Sequence, residues 1–261
     1  MTGIERISNA FAQREGKAAL MPYLMACYPD EQTSIEIGMA CAESGADLLE
    51  LGVPYSDPLA DGPVIHEAAT KALEGGATVA GAFRVANALG ERIPVVVMCY
   101  ANLVMTIGWE AFADQLVAAN ACGLICPDLP LEEAPEALAA LEERGLALVP
   151  LVAPTTPDSR LADIGARASG FLYTVSVTGT TGERDGIAPG VGGVVARAKN
   201  STQVPVAVGF GISTPDQARG TADEGADGVI IGSRLVRAAG ESDSPAKAVG
   251  AAVAEFAAAL R

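Results

Sequence analysis

The sequence predicts an α/β fold, a (β/α)8 TIM barrel with an extra N-terminal helix. Helical and strand patterns alternate along most of the 261 residues, the strand candidates number about eight, and one helix-to-strand joint recurs in distant parts of the chain. Eight βα units in about 250 residues is the usual size of such a barrel. The main rival, a doubly wound open sheet, expects Gly-x-Gly-x-x-Gly after the first strand, where this chain has Met25-Ala-Cys-Tyr-Pro-Asp.

The strand candidates are residues 20–27, 47–52, 94–99, 123–127, 146–152, 171–176, 204–209 and 227–231. Each is a short apolar run, as expected where helices cover both faces of a parallel sheet. Amphipathic stretches between them include residues 33–44, 109–119, 132–144, 157–168, 191–199 and 215–224. The recurring joint is Glu43-Ser-Gly-Ala-Asp-Leu-Leu, Asp223-Glu-Gly-Ala-Asp-Gly-Val and Glu143-Arg-Gly-Leu-Ala-Leu-Val. In each copy a glycine placed to end a helix leads within a few residues into a strand. Residues 1–16 carry Ile4, Ile7 and Phe11 on one helical face and read as an extra helix under the barrel floor. No linker of Pro, Ser or charge-rich composition interrupts the pattern, so residues 1–261 are expected to form one domain.

Half of the residues are hydrophobic, enough for one large core. The formal net charge of −15 and pI near 4.4 make nucleic acid and anionic membranes poor partners. The same charge repels phosphorylated ligands at long range, so any phosphate site must act locally, through backbone amides and helix ends. No apolar run reaches the roughly 18 residues of a membrane span, and no secretory leader pattern opens the sequence, so a cytoplasmic location is expected. The cysteines, Cys27, Cys41, Cys99, Cys122 and Cys126, are odd in number and include no Cys-x-x-Cys pair, which suits reduced core residues.

The segment Glu50-Leu-Gly-Val-Pro-Tyr-Ser-Asp-Pro-Leu-Ala-Asp-Gly-Pro is the most informative stretch. Glu50 stands among Leu48, Leu49 and Leu51, where an ionised side chain costs several kcal/mol unless compensated. Either the Glu reaches solvent or an arginine at the strand end, or it serves chemistry. The loop after it, restricted by prolines and holding Asp57 and Asp61, favours a built site. In a barrel, chemistry gathers where strands end, and polar residues there also include Tyr100, Asn102, Asp128 and Tyr173. Glycine-containing loops follow the last three strands: Thr178-Gly-Thr-Thr-Gly, Gly209-Phe-Gly-Ile-Ser and Gly232-Ser-Arg. Such loops let backbone N–H groups approach a phosphate, and residues 178–190 are a candidate lid. His66, the single histidine, falls in a helix-like segment and reads as a surface or internally satisfied residue more than a catalytic one. With one histidine, a Ser-His triad or a multi-histidine metal site is disfavoured. Trp109 is expected to pack among outer helices, and Glu132-Glu133 to open a helix, where acidic groups suit the dipole.

Taken together with Tyr100-Ala-Asn and Pro127-Asp-Leu-Pro, these motifs resemble the tryptophan synthase alpha subunit family over essentially the whole chain. The resemblance implies a (β/α)8 carbon–carbon lyase that cleaves indole-3-glycerol phosphate to indole and glyceraldehyde 3-phosphate, with no cofactor in this chain. It implies Glu50 as proton donor to indole C3 and as base for the glycerol hydroxyl, Asp61 as acceptor from the indole N–H, and Tyr173 near the substrate hydroxyl and Glu50. Gly182, Gly211, Gly232 and Ser233 match phosphate-binding positions. Tyr23, Ile65, Met98, Ile125 and Phe210 match the indole pocket, and Thr181 matches a lid residue that contacts the loop aspartate. The implied partner is a pyridoxal-phosphate beta subunit in an alpha2-beta2 complex, with Pro54, Asp57, Pro58, Asn102 and Pro130 as interface candidates. The alternatives are a stand-alone indole-releasing lyase, another phosphate-binding barrel enzyme that uses a carboxylate for isomerisation, and a weakly active barrel that only activates a beta partner. The chain departs from the family at Cys27, where a glycine is usual, and in the lid, where Gly-Thr-Thr-Gly replaces a commoner Gly-Val-Thr-Gly.

Overall fold

The computed structural model describes residues 1–175, 190–209 and 211–261. Four strands come first: β1 (Ala19–Met25), β2 (Leu49–Gly52), β3 (Val95–Met98) and β4 (Gly123–Ile125). Five follow: β5 (Ala147–Val149), β6 (Leu151–Val152), β7 (Leu172–Val175), β8 (Val206–Gly209) and β9 (Gly228–Ile231). Around them lie α1 (Gly3–Gln13), α2 (Glu31–Glu43), α3 (Pro63–Glu74), α4 (Val79–Gly90), α5 (Ala101–Ile107) and α6 (Trp109–Ala118). The second half adds α7 (Pro135–Glu142), α8 (Asp158–Arg167), α9 (Val191–Ser201), α10 (Pro215–Asp223), α11 (Ser233–Glu241) and α12 (Pro245–Leu260). None of the described helices is long and apolar enough to cross a membrane.

All recorded strand pairs are parallel, in the order β5-β4-β3-β2-β1-β9-β8-β7-β6. The strand expected at 146–152 is two pieces, because Pro150 has no N–H to donate and interrupts the ladder. Its two halves face opposite neighbours, β5 pairing with β4 and β6 with β7. The ends of the nine-strand order are therefore joined through one proline, and the sheet closes into a barrel.

The recurring joint has a physical basis. Gly45, Gly145 and Gly225 all take left-handed backbone conformations, with φ of 100°, 66° and 97°. In the two Gly-Ala-Asp copies the aspartate then fastens the next strand to its neighbour: Asp47 accepts from the Leu20 N–H at 2.8 Å, and Asp227 from the Val206 N–H at 2.9 Å.

Helix α1 begins with a capping box between Thr2 and Glu5 and closes the floor. Ile7 and Phe11 are buried, and the Phe11 ring lies 5.8 Å from that of Phe171. A Cβ on Gly228 would meet both the Met21 sulfur and the Phe11 ring, so the barrel bottom is filled by side chains. The five cysteines are free and buried, as the sequence suggests.

Candidate active site

Register decides which side chains enter the barrel. Tyr23, Glu50, Val96, Gly123 and Ala147 form one row across β1 to β5, and Ala19, Gly228, Ala207 and Tyr173 another across β1 and β9 to β7. Tyr23 stands four residues after Ala19 in the same strand, so the two rows share a face. Two residues further on, Gly52, Met98, Ile125 and Gly209 lie on that face too. The interior of the C-terminal mouth is thus built from Tyr23, Glu50, Met98, Ile125 and Tyr173.

Two glycines shape this mouth. A Cβ on Gly52 would overlap the Tyr23 hydroxyl, and one on Gly209 would overlap the Tyr173 hydroxyl. The phenols therefore occupy space that side chains on β2 and β8 would fill. Tyr23, Tyr173, Glu50 and Asp61 all influence one another electrostatically, which places β1, β2, β7 and the loop after β2 around one site.

Glu50 is 1% exposed, and among the described residues its Oε2 has no hydrogen-bond partner. Burial, and secondarily the Asp61 charge, raise its pKa to about 8, so the carboxyl holds its proton at neutrality. The solvent and arginine-pair readings of this residue are excluded by that burial and that unpaired oxygen. Asp61 is half-buried at the end of the loop. Burial raises its pKa to about 6 against the opposing effects of a Tyr100 hydrogen bond and the His66 charge. Two carboxyls a short chain distance apart are thus held in different protonation states near pH 7, a proton donor beside an acceptor.

The Tyr100 hydroxyl hydrogen-bonds to Asp61 and accepts from the Ala60 N–H at 3.1 Å. Its ring stacks on Tyr55 with centroids 5.1 Å apart, and Asn102 donates to the Tyr55 hydroxyl at 3.3 Å. Asp128 accepts from the Ala101 N–H at 2.9 Å, pinning the start of α5. The sequence marks these polar residues at strand ends but not the links among them, which depend on where the loops meet.

The other expected positions are distributed as follows. Ile65 is buried on the first turn of α3, and Gly211 has a left-handed φ of 78°. Gly232 and Ser233 open α11, whose first-turn N–H groups suit an anion. Thr181, Gly182 and Phe210 lie outside the described residues. Asp57, Asn102 and Pro130 are exposed, Pro58 is half-buried, and Pro54 is buried within the chain. Leu59 at 83% and Met105 at 67% exposure extend the outer face around Asp57 and Asn102. Sequence reasoning passed over both, since an apolar residue in a loop or short helix reads as core.

Cys27 adopts a left-handed φ of 58°, which accounts for the glycine usual there, and its sulfur lies where a Cβ on Gly81 would stand 3.2 Å away. Glu132 is not in an α-helical first turn; it sits in a short 3-10 turn, Leu131–Glu133, and pairs with both terminal nitrogens of Arg160. His66 is exposed on α3. Among the described residues no group of His, Cys, Asp and Glu could hold a metal ion.

A parallel barrel with a protonated and an ionised carboxyl at its C-terminal mouth defines the class, barrels suited to general acid–base chemistry. Within that class the chain belongs to the tryptophan synthase alpha chain family, whose model matches residues 10–260. A tryptophan synthase alpha chain from Synechococcus sp. is 49% identical over 227 residues, covering 86% of this chain and 84% of that one. A Mycobacterium tuberculosis tryptophan synthase structure superposes with a TM-score of 0.91 at 40% identity, covering 98% of both chains. A chain of the Pyrococcus furiosus tryptophan synthase a2b2 complex superposes with a TM-score of 0.86 at 36% identity, covering 92% of this chain and 98% of that one.

Proposed function

We propose that this chain is a carbon–carbon lyase that cleaves indole-3-glycerol phosphate to indole and glyceraldehyde 3-phosphate, working with a pyridoxal-phosphate beta subunit that takes up the indole. The observation that carries the reading is Glu50: a carboxyl buried among apolar strands, protonated at neutrality, with an unpaired oxygen beside an ionisable Asp61.

The reaction is a retro-aldol cleavage, and each step asks for a proton movement these residues can make. Glu50 gives its proton to indole C3, and the Asp61 carboxylate accepts from the indole N–H as positive charge develops on the ring. The carboxylate left on Glu50 takes the proton from the glycerol hydroxyl. The C–C bond breaks, its electron pair returns to the ring, the oxygen becomes the aldehyde, and Glu50 is protonated again. Tyr173 acts beside the hydroxyl. Met98, Ile125, Ile65 and Tyr23, with Phe210, supply apolar walls for a flat ring. The first turn of α11 at Gly232 and Ser233, with Gly211 and Gly182, would hold the phosphate, a local arrangement that suits a chain of net charge −15. The steps call for proton transfers alone, so the chain needs no cofactor of its own.

The whole of residues 1–261 would act as one barrel domain, a reading supported by the pairing of β1 with β9. Asp57, Pro58, Asn102 and Pro130, with Leu59 and Met105, form the proposed beta-subunit face of an alpha2-beta2 assembly. Pro54, being buried, would shape the loop from beneath.

Indole release by purified Glu50→Gln and Asp61→Asn variants tests the reading. Glu50→Gln should lower kcat by at least about 10³-fold and Asp61→Asn by about 10²-fold or more, with circular dichroism unchanged. Cleavage by Glu50→Gln at a near wild-type rate removes the mechanism. A large increase in cleavage on adding a beta subunit supports the complex, whereas fast unaided cleavage supports a stand-alone enzyme.

A further inference from the structure

Asp61 lies in a loop without regular structure, yet the proposed chemistry needs its carboxylate ionised and fixed against the ring N–H. Loop residues reach such precision only when other side chains hold them. Tyr100 touches the loop after β2 at both of its ends: its ring stacks on Tyr55, and its hydroxyl meets Ala60 and Asp61.

We propose that Tyr100 is a positioning residue for the cleavage reaction, clamping the loop after β2 so that its hydroxyl presents the Asp61 carboxylate, ionised, to the ring nitrogen of the substrate. This rests on the reading of Asp61 as the N–H acceptor and extends it to a residue that touches no reacting atom.

The geometry of the clamp is specific. The phenol oxygen accepts from the Ala60 N–H, which orients its own proton toward the neighbouring carboxylate. Burial and the Asp61 charge push the Tyr100 phenol above its ordinary range, so the phenol stays a donor throughout the working pH range. A carboxylate receiving that bond is favoured over the acid form, and the bond opposes the burial that drives Asp61 toward protonation. The backbone beside Tyr100 is fixed in turn, through the Asp128 carboxylate on the Ala101 N–H, and the Tyr55 ring is held by Asn102. Among the described residues the other ionisable groups facing Asp61 are Glu50 on β2, His66 on α3, Tyr23 on β1 and Tyr173 on β7. Of these, only the His66 charge acts with Tyr100 to favour the carboxylate, and His66 is exposed.

Tyr100→Phe tests the proposal because it keeps the ring, its stacking on Tyr55 and the helix start, and removes only the hydroxyl. Two readouts are needed: titration of the Asp61 carboxyl by carbon-13 NMR in the free protein, with Asp61→Asn assigning its signal, and the acid limb of kcat/KM for indole release. In the wild type both should fall near pH 6. In Tyr100→Phe both should move up by about one pH unit, so that activity falls about fivefold at pH 6 and much less at pH 8. Thermal stability reports whether the fold survives, and Tyr100→Leu, which loses the stacking as well, should lower activity at every pH in addition to moving the limb. An Asp61 titration unchanged in Tyr100→Phe overturns the proposal. A titration that moves while the kinetic limb stays removes Asp61, and Tyr100 with it, from the reaction. Cleavage retained in Asp61→Asn itself is a failure of the functional reading and is seen before Tyr100 is touched.

Discussion

A single buried carboxyl sets the pH behaviour expected of this chain. Glu50 holds its proton up to about pH 8 in the folded state, against an ordinary value of 4.5. Between those limits the folded protein keeps a proton that the unfolded chain has released, so this group makes stability fall as pH rises through the window. Glu50→Gln removes the buried charge that appears above pH 8. The variant should therefore be more stable than wild type by roughly 1–3 kcal/mol at pH 9, with the gap narrowing toward pH 5. Urea unfolding at the two pH values measures this; a variant less stable at pH 9 would show that Glu50 is held by partners that favour its charge. Gain in stability together with loss of catalysis is the behaviour of a residue kept for chemistry. The oddity of Glu50 among leucines was legible in the sequence, though by position alone a strand-end Glu reaching solvent or an arginine is equally open, and the loop after it tilts the reading. The hold of Tyr100 on Asp61 was not, since the two are separated along the chain and joined only by the fold.

At the scale of elements, the strand ends show why glycine occupies Gly52 and Gly209. Both close β-strands at the mouth, and each yields its side-chain space to a tyrosine from another strand. From sequence these glycines read as turn or phosphate-loop residues; the register across neighbouring strands reveals their second use. Gly209→Ala should displace the Tyr173 ring and lower the rate of indole release by about 10²-fold. Stability should change far less, and a variant with unaltered turnover would separate Tyr173 from the reaction. Element boundaries were largely legible because the helix-to-strand joint repeats. From sequence, residues 146–152 read as one strand; the split at Pro150 and its place in the ring emerge only when β4 and β7 are known to be its neighbours.

For the whole molecule, the two ends of the barrel serve separate purposes. The floor is filled by α1 and the Phe11–Phe171 contact, while the mouth holds the carboxyls and the exposed loops. Leu59 and Met105 lie on that mouth's outer side, and apolar side chains so exposed suit a partner surface. Leu59→Ser should weaken beta-subunit binding about tenfold, read as the concentration of beta subunit needed to activate cleavage, while leaving unaided cleavage unchanged. Equal activation of variant and wild type would place the partner elsewhere. The break at Pro150 also bears on how the barrel moves. Where other staves are tied to each neighbour by backbone ladders, here the wall passes from β5 to β6 through a residue that donates nothing, with the Tyr173 N–H bonded to its carbonyl at 3.0 Å. With one position in its wall lacking a donor, the hoop is expected to part there first, like a book along its spine, and amide exchange faster in β5 and β6 than in the stave that bears Glu50 is the outcome that would show it.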